Sequence, residues 1–509
     1  MPQRRMAWLD ALRAIAALLV VYAHLSHYLL RGARDVSAEW LHAGPAGVML
    51  FFLVSGYIIP ASLERHGDLR RFWIGRAARL YPLYLVICGL VAVTAALAQA
   101  APLSPAAPLS PATPLSPAAP LSPAAPSPAA PLTLGGTVAH LTMLPQLLGT
   151  TLLTPVVWTL TFEMAFYLLV AALFALSRHR ASAAVAVCLA VAGVATAPLT
   201  PGRLASPALP FLVAALLAIG LIALTRRHRR VVVAGAIVLL AVAGTLLVAG
   251  QDVSHAWDGL LIPAVMFTGT TIYRAEHRQI PRRQAVAAVA VVAAALLTNW
   301  FAELVSLNAL TPKYMARSVI TLLVIGGSFA IGMAWRRTPR FLAWLGRVSY
   351  STYLIHVPLI GLLAVPLTVL GRRLRGPVEL VAVAGFLGLL FGLSWLAHRY
   401  VELPGQRLGR RLTAARAPRQ RVTAQRTEAG DRPTRVPRES GTAQETGAGV
   451  RPTRVPRQRG TTQETGAGDR PTRVPRQRVA AQQSDAGDRR EHRHGREIEP
   501  VDRAVRVAE

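Results

Sequence analysis

Twelve apolar blocks, most of them separated by short arginine-bearing connections, leave this chain few folds to adopt. They fall near 8–28, 45–61, 78–99, 155–176, 182–199, 208–225, 231–249, 256–273, 284–302, 316–335, 345–370 and 378–400. Each approaches the roughly 20 residues that an α-helix needs to cross a hydrocarbon core. Continuous blocks of this kind, in place of amphipathic stripes, predict an all-α polytopic transmembrane helical bundle. The expected count is about 10–12 spans, the lower figure applying if a short block is re-entrant.

The connections predict the orientation. Arg4 and Arg5, Arg65 to Arg79, Arg178 and Arg180, Arg226 to Arg230, Arg274 to Arg283 and Arg336 to Arg340 occupy every second connection. Basic residues favour the inner side, which places both termini in the cytoplasm of a multi-pass cell-membrane protein. Arg372, Arg373 and Arg375 fall on the expected outer side, marking either a misread last hairpin or a basic patch with a role. The formal charge of +30 sits in these connections and in the C-terminal tail, so it reports topology and not nucleic acid. Cys88 and Cys188 lie inside apolar runs without CxxC or Cys/His spacing, which argues against a disulfide framework and against a metal site. Met1 to Arg5 resembles the start of a signal peptide. The apolar run after it is too long and carries Arg13 and His24, so it reads as a retained first span.

Two segments read as unable to build a core. Residues 102–125 repeat PLSPAA or PLSPAT, within a Pro/Ala/Ser-rich insertion over 101–131 that favours extended polyproline II as an external spacer. After Pro404 the apolar blocks stop, and RPTRVPR recurs at 432–438, 451–457 and 470–476. The expected organisation is therefore a membrane domain over 1–407 and a disordered, arginine-rich cytoplasmic tail over 408–509. Attraction of that tail to anionic lipid headgroups is its functional alternative.

Chemistry is expected where ionisable groups enter the spans, because such groups are costly in a membrane. The first span, LDALRAIAALLVVYAHLSHY, carries Asp10 and Arg13 near its start and His24 near its end. Arg13 and His24 are separated by roughly 16 Å of helical rise, about half of a hydrocarbon core. Glu163 lies inside the fourth span and, with the opposite chain direction, reaches the same outer half as His24. A carboxylate beside an imidazole fixes its tautomer and raises its basicity, as a base for a hydroxyl requires. The alternative is a packing histidine at a headgroup boundary and a protonated structural glutamate. Arg76 and Arg79, three apart at the inner end of the third span, can present two guanidiniums to a phosphorylated group. In LGRVSYSTYLIHVPL, Tyr350, Tyr353 and His356 follow one helical face and need polar partners.

These stretches, taken in order, resemble the membrane-bound acyltransferase 3 family: R-x10-H in the first span, GVMLFFLVSGYII at 47–59, RAARLYPLY at 76–84, VWTLTFEMAFYL at 157–168, LGRVSYSTYLIHVPL, and YVELPGQR at 400–407. The resemblance implies that Arg13 and His24 are the essential pair and that Arg76 and Arg79 form the cytoplasmic RxxR motif. It further implies that Trp158 and Glu163 are characteristic residues and that Ser349, Tyr350, Tyr353 and His356 form the late polar motif. Catalysis is thus expected at His24, Glu163 and Arg13, and substrate contacts at Arg76, Arg79, Asp10, Trp158, Ser349, Tyr350, Tyr353 and His356. The implied activity is O-acyl transfer from acyl-CoA, a substrate and not a bound cofactor, to a hydroxyl of a glycan, glycolipid or secondary metabolite. The lipid bilayer is the other expected partner. No esterase-like domain with a GDS motif follows the spans. By composition alone, a proton-coupled secondary transporter is the rival, though such carriers usually show related halves and none are evident.

Overall fold

The computed structural model describes residues 7–100, 133–196, 206–249, 258–335, 338–364, 366–368, 374 and 376–414. Among these it is built from helices: α1 (Ala7–Leu25), α2 (Arg31–Trp40), α3 (Ala43–His66), α4 (Leu69–Ala100), α5 (Leu134–Leu141), α6 (Trp158–Ala175), α7 (Ser182–Thr196) and α8 (Leu209–Leu224). Further along come α9 (Arg229–Ala249), α10 (Asp258–Glu276), α11 (Arg282–Ser306), α12 (Pro312–Ala334), α13 (Arg340–Leu362), α14 (Pro377–Ala397) and α15 (Leu403–Ala414). Among the described residues, each of the twelve apolar blocks holds one apolar helix. Nine described helices are long and apolar enough to cross a membrane, and α8 is a shorter apolar helix. The remaining two, α10 and α13, fall below that hydropathy for a physical reason. Their interior faces carry buried Thr268, Thr270, Thr271 and Arg274, and buried Ser349, Ser351, Thr352 and His356.

Outward and inward faces follow from the side chains. On α4, Val86, Leu90, Val93 and Leu97 recur on one face and are exposed, as lipid-facing residues should be. In contrast α6, apolar except near its start, is buried nearly throughout, which makes it a central helix. Helix α1 lies between α3 and α13, and α3 packs on α10. The α3–α10 crossing depends on two glycines. A Cβ on Gly56 would overlap the Met266 carbonyl, and one on Gly269 the Leu53 carbonyl. Small residues at such crossings let helix backbones approach closely in a membrane.

Arg274, expected to be a loop charge, is instead buried at the end of α10. It pairs with Glu64 and donates to the His179 carbonyl (2.6 Å) and Gln279 Oε1 (2.8 Å), tying α3, α10 and the α6–α7 connection together. The boundary expected after residue 407 falls inside α15, whose Gly405 and Gly409 approach Pro82 and Ala78 of α4. The proline insertion from 101 to 131, the tail beyond 414 and Arg372, Arg373 and Arg375 lie outside the described residues.

Candidate active site

His24 sits one residue before the end of α1, buried, with Nδ1 2.9 Å from the Val20 carbonyl. It borders a recess lined by Val20, Gly44, Val48, Pro155, Val156, Trp158 and Tyr353, about 280 Å³ of empty space including its mouth. The α6 side of this recess is delivered by a short 3₁₀ turn, Pro155–Val157, with proline at its first position, where a missing N–H costs nothing. Trp158 then opens α6 and packs edge-on against Phe52 and Phe162. On the α13 side, Tyr353 Oη and Thr159 Oγ1 share a hydrogen bond of 3.0 Å. His356, one turn on, places Nε2 3.4 Å from His24 Nδ1.

A second polar cluster lies further down α1. The charged neighbours of Arg13 are Asp10 on the same helix, Arg76 and Arg79 on α4 and Glu163 on α6. Arg13, Arg76, Arg79 and Glu163 all keep partial exposure although they face the bundle. The Arg76 guanidinium lies 5.4 Å from the Phe72 ring centre and 5.5 Å from that of Tyr167, a cation–π placement on both. Tyr167 donates to Glu163 Oε1 at 2.5 Å, and Tyr350 donates to the Leu80 carbonyl at 2.8 Å. Three guanidiniums against two carboxylates leave the cluster one positive charge in excess, which suits an anionic ligand such as a phosphate.

The expected site residues thus divide into two tiers. His24, Trp158 and Tyr353 meet at the recess with His356 behind His24, while Asp10, Arg13, Arg76, Arg79, Glu163 and Tyr350 gather below. One expectation changes. Glu163, expected to orient His24, is engaged by Tyr167 and belongs with Arg13; the ring facing His24 is His356. Ser349, expected to touch substrate, is buried and donates to the Gly346 carbonyl of its own helix at 2.9 Å.

The histidine that leads into α3, beside the C-terminal end of α1, is held neutral. Burial and then Arg317 push His42 down to about 3.

Known sequences share this pattern. The profile of the acyltransferase domain family, acyltransferase 3, matches residues 6–223 and 208–399. The chain belongs to the acyltransferase 3 family. A Staphylococcus aureus (strain MSSA476) protein carrying an inferred O-acetyltransferase name is 35% identical over 102 residues, 19% of this chain and 15% of its own length. The acyltransferase MdmB of Streptomyces mycarofaciens is 34% identical over 104 residues, 19% of this chain and 27% of its own. The O-acetyltransferase OatA of Staphylococcus aureus (strain NCTC 8325) is 35% identical over 98 residues, 18% of this chain and 14% of its own. The chain therefore aligns with only a minor part of these relatives. No solved structure matches it.

In this acyltransferase 3 chain one further buried acid is not apparent from the sequence. Glu402 lies in a π-helical turn, His398–Glu402, between α14 and α15. It accepts from Ser351 Oγ and is 3.0 Å from His398 Nδ1. Through Ser351 it ties this turn to α13. The signal was YVELPGQR, an acid just past an apolar block.

Proposed function

We propose that this chain is an integral membrane O-acyltransferase that moves a short acyl group, acetyl by default, from acyl-CoA to a hydroxyl of a sugar, envelope polysaccharide or secondary metabolite. The observation that carries this reading is the pairing, on one helix, of a histidine bordering a recess with an arginine cluster roughly 16 Å below it. The O-acetyltransferase and the acyltransferase among the relatives agree with it.

In the proposed reaction acyl-CoA enters from the cytoplasmic side and its phosphates settle on Arg76, Arg79 and Arg13. The pantetheine arm extends along α1 toward His24. The acceptor enters the recess from the opposite side, against Trp158 and Tyr353. Val20's carbonyl holds the proton of His24 on Nδ1, because a carbonyl can only accept, so Nε2 carries the lone pair. Nε2 takes the acceptor's hydroxyl proton as the oxygen attacks the thioester carbonyl. The tetrahedral adduct collapses with cleavage of the C–S bond, and the departing sulfur receives the proton from Nε2. The products are the O-acyl ester and free CoA thiol, with His24 restored. A positioned base of this kind contributes about 10²–10⁴-fold.

The test is mass spectrometry of envelope glycans and small metabolites from cells with and without the gene, looking for a lost acyl mass increment. His24→Ala, in protein that still purifies as a monodisperse species, should reproduce the loss. Unchanged acylation by that variant would overturn the assignment. Uptake or efflux without release of CoA thiol would favour a transporter instead.

A further inference from the structure

We infer that His356 is the positioning residue of His24, forming with it an imidazole pair in which a neutral ring does what a carboxylate commonly does. This rests on the reading of His24 as the base. The hydrogen-bond partners fix where the protons sit. His24 Nδ1 lies 2.9 Å from the Val20 carbonyl, and His356 Nδ1 lies 2.6 Å from the Tyr353 carbonyl. Carbonyl oxygens only accept, so both Nδ1 atoms bear hydrogen and both neutral rings carry their lone pair on Nε2. His356 Nε2 therefore offers a lone pair 3.4 Å from the His24 Nδ1–H, which it shares with the Val20 carbonyl. The rings cross at 70° with centroids 5.0 Å apart.

This arrangement has two consequences. Before reaction it holds His24 in the tautomer whose Nε2 is free, without a buried charge next to the base, which would be costly so deep in the bundle. During reaction, when Nε2 accepts the acceptor's proton, the His24 Nδ1–H becomes a charged donor and its bond to His356 strengthens. His356 is fully buried, so the supporting ring is shielded from water while His24 faces the recess. Glu163 is left to the arginine tier, where its charge offsets Arg13.

The direct test uses full-length protein labelled with ¹⁵N-histidine in detergent, with His24→Ala and His356→Gln spectra identifying the two rings. The expected result is a protonated Nδ1 and an unprotonated Nε2 on both. A deprotonated Nδ1 on His24, or a protonated Nε2 on His356, would overturn the pairing. The kinetic test measures CoA thiol release from acetyl-CoA in membranes of the producing strain, supplemented with its own extract to supply the acceptor. His356→Leu, which removes the acceptor atom, should lower kcat by about tenfold to a hundredfold, the range for a charge-assisted hydrogen bond. KM for acetyl-CoA should stay within about twofold, since the donor's phosphates lie on the lower tier. His356→Gln places an amide oxygen near the position of Nε2 and should recover most of the loss. Equal losses in the Leu and Gln variants, or a rise in KM that accounts for the effect, would count against the pair. Loss of activity in His24→Ala together with normal turnover in His356→Leu would remove the pairing alone. Normal turnover in His24→Ala would remove the base itself.

Discussion

Gly346 of α13 lies directly against the backbone carbonyl of Asp10 on α1, so close that a Cβ there would overlap it. The two helices run on from this contact in the same direction until His24 meets His356, so one crossing registers both tiers. Gly346→Ala should push the helices apart. Overpacking costs about 1–3 kcal/mol where side chains can yield, and here the obstacle is backbone. The expected outcome is a lowered Tm of the detergent-purified protein and loss of turnover. Gly361→Ala, on the same helix but with open space around it, should leave Tm unchanged.

Arg76 and Arg79 should act on donor binding. Arg76→Ala and Arg79→Ala are each expected to raise KM for acyl-CoA about tenfold or more, as loss of a charge-assisted contact requires, with a smaller effect on kcat. Arg76→Lys should not rescue, because the planar guanidinium sits over two rings that an ammonium cannot cover equally. Steady-state kinetics against acyl-CoA concentration reads both.

Glu163 and Tyr167 should behave as one unit. Tyr167→Phe and Glu163→Gln are each expected to weaken donor use. The double variant should cost less than the sum, because the hydrogen bond between them is lost only once. Strict additivity in KM for acyl-CoA would deny the coupling.

Truncation should distinguish α15 from the residues C-terminal to it. Removing residues 415–509 is expected to leave activity intact. Removing residues 400–509 also takes Glu402 and the Gly405 and Gly409 contacts on α4, and should abolish folded yield on gel filtration.

Acid should destabilise the end of the bundle where α3 begins. His42 is held at about 3 by burial and Arg317, below the ordinary histidine value of about 6.5 that it regains on unfolding. Between those values the unfolded chain binds the extra proton, so stability falls as pH drops through this window and levels off below it. His42→Phe should flatten that slope in Tm measured from pH 7 to pH 4.

Much of this was legible in the residues themselves. All twelve apolar blocks became helices because a long apolar run in lipid has no other way to satisfy its backbone. The separation of Arg13 from His24 followed from helical rise alone. The partner of His24 did not: Glu163, expected in the same half of the membrane as His24, lies in the lower tier with Arg13 and Tyr167, because its helix opens at Trp158 beside the recess and carries Glu163 about 7.5 Å further along its axis. His356 takes the place beside His24. Arg274 misled because a basic residue at a span end looks the same whether it meets water or Glu64. Glu402 was hidden for a related reason: a π-helical turn shifts the face on which a residue lands, and no periodicity announces it.

The straight run of α1 bears on selectivity. Arg13, the part of the proposed anchor that α1 carries, and the base belong to a single unbroken helix, so the interval between them is as stiff as that helix and does not adjust to the cargo. The enzyme would then gauge its donor like a yardstick. A thioester whose arm is truncated would dock its head and fall short of the imidazole, whereas lengthening the acyl chain beyond the sulfur would crowd the recess and leave the anchorage undisturbed.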